Sequence, residues 1–197
     1  MPKKADTRER LLEAGAILIA EKGFAGASVR AICEKADASN NMVHYCFDSK
    51  AGLLDAIVEQ FGSRVFAVPI RLLDTPAKSR DDFASRIEML FEATLDAYVE
   101  QRLVFMVVVR EQADAPALNE FMARFAAFLE EGKKKGYVRK NLNADMVTGA
   151  MLDRIANQVQ YAPWIKRNYG TDFSDVEYKK RWCQSNLDLF LYGMLTT

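Results

Sequence analysis

The sequence has little of what marks secreted, metal-binding or membrane proteins. Its 197 residues include three cysteines and one histidine, and the odd number and wide spacing of the cysteines match neither a disulfide framework nor a zinc site. The longest uninterrupted apolar run, residues 103–109, is seven residues long, whereas a spanning helix needs about 20. The N-terminus is polar and carries no pattern of a secretory signal. We therefore expect a cytoplasmic protein with no bound metal and no membrane segment.

An excess of charge of either sign is also missing. Lys plus Arg and Asp plus Glu number 27 each, so the formal net charge is zero, and bulk charge gives no sign of a nucleic-acid partner. Half of the residues are apolar, and there are only 10 glycines and 5 prolines. This composition excludes disordered and fibrous proteins, and the length is sufficient for a large hydrophobic core.

Glycine and proline divide the chain into segments of helical length, and no pair of strands is evident. We predict an all-α fold with nine helices, in which Ser28, Ser39 and Ser49 cap the second, third and fourth. Residues 162–175, with Pro163 and Gly170, are predicted to form a loop. The predicted helices cover residues 6–22, 29–35, 40–47, 50 to about 69, 81–98, 102–112, 117–135, 144–161 and 176–195.

The second and third predicted helices have the length and spacing of a helix-turn-helix. In such a motif the second helix lies in the DNA major groove, with polar residues of its N-terminal turn facing the bases. Asn40 and Asn41 occupy that turn, and His44 and Tyr45 follow one turn later. By itself this pattern is weak evidence, because many helical proteins contain two short helices in succession.

Four stretches resemble the TetR family of bacterial transcription regulators. They are residues 7–14 (TRERLLEA), 20–24 (AEKGF), 28–33 (SVRAIC) and 43–53 (VHYCFDSKAGL), of which the last looks most diagnostic. The resemblance covers about residues 7 to 60.

The resemblance implies two functional domains joined by a helix. Residues 1–50 would form a three-helix DNA-binding domain, the fourth helix from about residue 50 would be the connector, and residues 51–197 would bind an effector and dimerise. The function implied is a ligand-responsive, sequence-specific DNA-binding regulator, a homodimeric repressor released from a palindromic operator by a small apolar or aromatic effector.

The resemblance also assigns DNA contacts by position. Tyr45 and Lys50 fall where the family contacts phosphates, and asparagine in the recognition helix favours the N6 and N7 edge of adenine. Asp37 stands in the turn where the family favours glycine, so we expect it to adopt a left-handed conformation. Lys3, Lys4, Arg8 and Arg10 are expected to form a basic arm. The residues expected at the DNA are Ser28, Arg30, Ser39, Asn40, Asn41, Met42, His44, Tyr45 and Lys50.

Two further sites are expected in the C-terminal part. The resemblance implies an effector cavity between helices, which suits apolar or aromatic ligands, and a dimer interface formed by the last two long helices. The apolar arc of the final helix is wider than one core face requires, which supports the second expectation. The expected cavity residues are Phe105, Met106, Phe125, Met151, Arg154, Gln158 and Tyr161. The expected interface residues are Trp182, Leu189 and Phe190.

Two other functions compete with this interpretation. One is a helical-bundle enzyme or small-molecule carrier that uses an aromatic cavity, and the other is an interaction module that has lost DNA binding. The sequence contains no glycine-rich phosphate loop, Ser-His-Asp set or helical carboxylate–histidine metal pair, so we expect no catalytic residue and no cofactor. DNA titration distinguishes the regulator from both alternatives.

Overall fold

The described part of the chain is almost entirely helical. A computed structural model describes residues 4–194, with side chains from Asp6 onward, and no β-strand occurs in that range. The helices are α1 (Lys4–Gly26), α2 (Val29–Lys35), α3 (Met42–Phe47), α4 (Lys50–Leu72), α5 (Arg80–Glu100), α6 (Arg102–Glu111), α7 (Pro116–Lys134), α8 (Ala144–Gln160), α9 (Ala162–Tyr169) and α10 (Val176–Met194). The predicted all-α class is confirmed. None of the helices within residues 4–194 combines the length and apolar character that a membrane span requires.

The helix count within the described residues is ten rather than nine, because α9 occupies a segment predicted as a loop. Pro163 lies in the first turn of α9, where its missing N–H would have had no helical partner. Gly170 ends the helix with a φ of 70°, a conformation that glycine adopts without a Cβ penalty. The proline and glycine that predicted a loop therefore bound a short helix.

The serine caps follow the prediction at two of three helix starts. Ser28 Oγ accepts a hydrogen bond from the Ala31 N–H at 3.1 Å, and Ser49 Oγ accepts one from the Gly52 N–H at 3.0 Å. The predicted cap at Ser39 is wrong. Helix α3 begins two residues later than predicted, so that residues 39–41 form a turn in which the Met42 N–H bonds the backbone carbonyl of Ser39 at 2.9 Å.

The chain forms two compact units. The N-terminal unit contains the chain up to Arg64 together with Gln101–Pro116, and thus includes α1 to α3, the first part of α4, and α6. Its core is a cluster of fully buried aliphatic side chains from these helices. Among its members are Leu11, Ile19, Ile32, Val43, Leu53 and Val107.

The C-terminal unit contains Val65–Glu100 and the chain from Ala117 onward. Its core is built on aromatic pairs whose ring centroids lie 4.7 to 5.6 Å apart, within the range of favourable ring contacts. These pairs are Phe83 with Phe128, Phe66 with Phe121, and Phe91 with Trp182.

Gly132 in α7 allows one of these pairs to approach the helix backbone. A Cβ at this position would lie 2.6 Å from Cε2 of Phe83 and 3.0 Å from Cγ2 of Val138. We expect Gly132→Ala to lower the free energy of unfolding by about 1–3 kcal/mol, the usual cost of overpacking a core, as measured by urea denaturation. In a Phe83→Leu background the same change should cost less, since the ring has gone. Equal stability of Gly132→Ala and the original protein would contradict the close packing.

Candidate functional site

Burial divides the short helix α3 into an inner and an outer face. Val43 and Phe47 are buried in the core of the N-terminal unit, together with Ile32 from α2. His44 and Tyr45 lie on the outer face, and Tyr45 is 63% exposed. The helix is thus held by its apolar side, while its polar side faces solvent.

The turn before α3 adds polar residues to this outer face. Ser39, Asn40 and Asn41 are exposed and Met42 is half-buried. Asn41 stands at the N-cap position but makes no side-chain cap hydrogen bond. Asp37 in the same turn has a φ of 48°, which confirms the predicted left-handed conformation. The expected base-reading residues are therefore brought together on one surface.

A contact of the ring with the Asp48 carbonyl orients the His44 side chain. The Asp48 N–H donates to the His44 carbonyl, and Nδ1 of His44 lies 2.9 Å from the Asp48 carbonyl oxygen. Asp48 has a φ of 62°. Because a carbonyl only accepts hydrogen bonds, Nδ1 carries the proton in this contact, and in the neutral ring Nε2 is then a hydrogen-bond acceptor. His44 thus presents a defined tautomer on the outer face.

Lys50 makes contacts within the protein. Its Nζ donates to the carbonyl oxygens of Phe24 at 2.7 Å and Ala27 at 3.1 Å, and it lies 4.2 Å from the centroid of the Phe24 ring. The side chain is half-buried. Lys50 therefore ties the start of α4 to the last turn of α1 and the residue that follows it, and one of its three N–H donors is left for another partner.

Three arginines of the N-terminal unit lie beside acids or a ring. Arg30 Nε donates to Glu34 at 2.8 Å, and this hydrogen bond together with the charge of Glu34 raises the pKa of Arg30. Arg10 lies within 3.9 Å of Asp6 and 3.8 Å of Asp37. Arg8 lies over the ring of Phe47 at 5.1 Å. Of the expected basic arm, Lys3 and the side chain of Lys4 lie outside the described residues.

Two charged residues at the end of α6 hold the end of α1. Nη1 of Arg110 donates to the carbonyls of Ala20 at 2.9 Å and Glu21 at 3.1 Å, and Oε1 of Glu111 accepts the Phe24 N–H at 2.9 Å. Between these contacts Gly23 interrupts the helix with a φ of 77°. The sequence shows a charged pair at the end of an apolar helix, but its partners are about 90 residues away and carry no signal of their own.

The structure does not gather the expected effector residues into one place. Gln158 and Tyr161 line a cavity of about 620 Å³ in the C-terminal unit. Phe105 packs on Phe61 in the N-terminal unit, with ring centroids 6.4 Å apart, and Met106 is half-buried there.

The other three lie elsewhere in the C-terminal unit. Phe125 and Met151 are buried, and Arg154 Nε donates to Oδ1 of Asn186 at 2.6 Å. Trp164, Tyr169 and Tyr178 also line the cavity, and the expected cavity residues do not include them. For Trp164 and Tyr169 the available signal was an aromatic side chain in a predicted loop, whereas Tyr178 lies in a predicted helix.

The expected interface residues of α10 also differ in their surroundings. Trp182 is 9% exposed and its ring lies 5.6 Å from Phe91, while half-buried Phe190 lies 6.2 Å from the same ring. Leu189 is 73% exposed. The structure thus places Trp182 in the core of its own unit and Leu189 at the surface.

Comparison with known proteins identifies a family that matches the N-terminal part of the chain and relatives that match most of its length. Residues 11–57 match the model of bacterial regulatory proteins of the tetR family. The HTH-type transcriptional regulator UidR of Escherichia coli (strain K12) is 27% identical over 154 residues, which cover 75% of this chain and 76% of UidR. The HTH-type transcriptional repressor KstR2 of Mycolicibacterium smegmatis is 25% identical over 154 residues, covering 73% of each chain.

A solved structure shows the same fold. The ketosteroid transcriptional regulator KstR2 of Mycobacterium tuberculosis superimposes with a TM-score of 0.73 at 21% sequence identity, covering 96% of this chain and 95% of that one.

The contacts of Lys50 predict a structural cost for its removal. We expect Lys50→Ala to lower the free energy of unfolding by about 2 kcal/mol, because two hydrogen bonds from a charged group are lost, as measured by urea denaturation. Arg30→Ala is the matched control, since Arg30 is exposed and pairs only with its neighbour on α2. Equal stability of the two variants would contradict a tethering role for Lys50.

Proposed function

Because this chain belongs to the TetR family of bacterial transcriptional regulators, we propose that it binds a palindromic DNA operator as a homodimer and leaves it when an effector binds. It is a ligand-responsive, sequence-specific DNA-binding repressor, like the regulators it resembles. The observation that carries the proposal is the outer face of α3 and its preceding turn, where polar side chains stand above a buried apolar back. Its place of action would be the cytoplasm, where bacterial operators lie.

The base-reading residues are those of the exposed turn and the start of α3. An asparagine side chain can donate to N7 and accept from N6 of adenine with two hydrogen bonds, and Asn40 and Asn41 are exposed for this role. Met42 would contact a thymine methyl group with the exposed part of its side chain. Nε2 of His44, as an acceptor in the neutral ring, would pair with the exocyclic amine of cytosine or adenine.

The phosphate contacts come from residues around this surface. Tyr45 is exposed beside His44, and the remaining N–H of Lys50 would bind a phosphate while the other two bind carbonyls. Ser28, Ser39 and Arg30 are exposed on the same motif. Such contacts fix the register of the protein on the duplex but read no sequence.

Dimerisation would use the exposed apolar residues of α8 and α10. Met146 and Leu189 are each 73% exposed and Tyr192 is 86% exposed, and apolar surface of this kind favours a self-complementary contact. A dimer places two recognition helices about 34–36 Å apart on successive major grooves. An effector that favours another dimer geometry changes this spacing. The coupling free energy between effector binding and operator binding would be about 1–3 kcal/mol.

The proposed base and phosphate contacts predict different effects for substitutions at Asn40 and Asn41 and at Lys50. Asn40→Ala with Asn41→Ala should relax sequence preference, because each lost bidentate contact is worth about 1–3 kcal/mol. Lys50→Ala should lower the affinity for all sequences alike and flatten the salt dependence by about one unit. Selection from a randomised DNA pool, followed by salt titration of the folded variants, measures both effects. The proposal fails if the original protein shows no preferred site.

The proposed dimer surface predicts a second effect. Leu189→Glu should convert the dimer to monomers and weaken operator binding at least about tenfold, because an uncompensated charge would be buried at the contact. Light scattering coupled to size exclusion measures the mass. Met89→Glu is the control, since Met89 is also exposed, on α5. A Leu189→Glu protein with unchanged mass would exclude this surface.

A further inference from the structure

The C-terminal unit contains a cavity of about 620 Å³ at the end of α8, along α9 and at the start of α10. This volume lies within the range of small-molecule sites, about 300–1,000 Å³. Five of the seven lining residues are aromatic or aliphatic. The lining consists of Gln158, Tyr161, Trp164, Ile165, Tyr169, Thr171 and Tyr178.

The aromatic walls of the cavity are exposed rather than buried against the protein. Tyr161 is 55%, Trp164 48% and Tyr169 69% exposed. The rings of Trp164 and Tyr169 lie 5.6 Å apart at 71° to each other and so form a corner. Large aromatic side chains gain most from burial, so the walls favour a ligand that covers them.

Contacts within α9 and the loop that follows it hold the corner of Trp164 and Tyr169 in place. Lys166 of α9 pairs with Asp172 at 2.7 Å, and this contact joins α9 to the loop that follows it. The amide of Asn168 donates to the Trp164 carbonyl at 2.8 Å. The corner is therefore shaped before a ligand arrives, which reduces the entropy lost on binding.

Polar groups on one side of the cavity define the ligand further. Nε2 of Gln158 donates to the hydroxyl oxygen of Tyr178 at 2.8 Å, so the hydroxyl hydrogen of Tyr178 is still available to a ligand acceptor. The seven lining residues are uncharged, and a charged ligand would lose its hydration without gaining an ion pair from them.

From these features we propose that the cavity binds a neutral, flat aromatic compound that carries a hydrogen-bond acceptor at one edge. The ring system stacks in the corner of Trp164 and Tyr169, and the acceptor receives the hydroxyl hydrogen of Tyr178. The assignment of this cavity as the effector site of the regulator rests on the proposed function.

Isothermal titration with 2-naphthol, in the absence of DNA, tests the proposal. The full chain should bind this probe saturably, and Trp164→Ala and Tyr178→Phe should each weaken binding, the first by about tenfold or more because a stacking wall is lost. Trp164→Phe, which keeps a ring, should retain most of the affinity. Arg167→Ala, on the same helix but outside the lining, should leave it unchanged.

Three results would overturn the proposal. They are the absence of saturable binding, binding that neither cavity variant weakens, and tighter binding of tetraethylammonium than of 2-naphthol, since the last would indicate a cation site. Circular dichroism of each variant establishes that it is folded. Because the titration contains no DNA, its failure leaves operator binding intact, whereas a loss of operator binding alone would refute the proposed function.

Discussion

The placement of α2 and α3 depends on how the protein holds the end of α1. Helix ends leave backbone carbonyls without partners, and here Arg110 supplies donors to two of them while Glu111 accepts the N–H of Phe24. Lys50 approaches the same short segment from α4 and binds the carbonyls of Phe24 and Ala27. The start of α2 is therefore fixed by charged side chains from two other helices.

Gly23 makes this arrangement possible. Its φ of 77° kinks α1 three residues before its end, and a Cβ there would lie 3.2 Å from Nη2 of Arg110. A larger residue would meet both backbone strain and the guanidinium group. The link between α6 and α1 thus requires a residue without a side chain at the bend.

Local signals explain which features were predictable from the sequence. The helical class, the caps at Ser28 and Ser49 and the left-handed Asp37 each depend on a few neighbouring residues, and all were found. Ser39 was misassigned because a serine before a helix resembles a cap even when a turn separates the two. The partners of Lys50 were not predictable, since nothing near Lys50 in the chain indicates that Phe24 lies beside it.

The contacts of the basic residues show how positive charge is balanced within the N-terminal unit. Arg30 pairs with Glu34, Arg10 lies near Asp6 and Asp37, and Lys50 gives two of its donors to carbonyls. Much of the basic charge in the N-terminal unit is therefore already engaged. Attraction to DNA of arbitrary sequence would be weak, and stable binding would require two protomers on a matched site.

Helix α9 contributes no buried residue to the core, so substitutions in it are expected to cost little folding stability. In evolutionary terms, this segment can accumulate changes that the hydrophobic core would not tolerate. If the proposed cavity along α9 is the effector site, related regulators with the same fold could differ in the effectors they bind through changes in this surface helix.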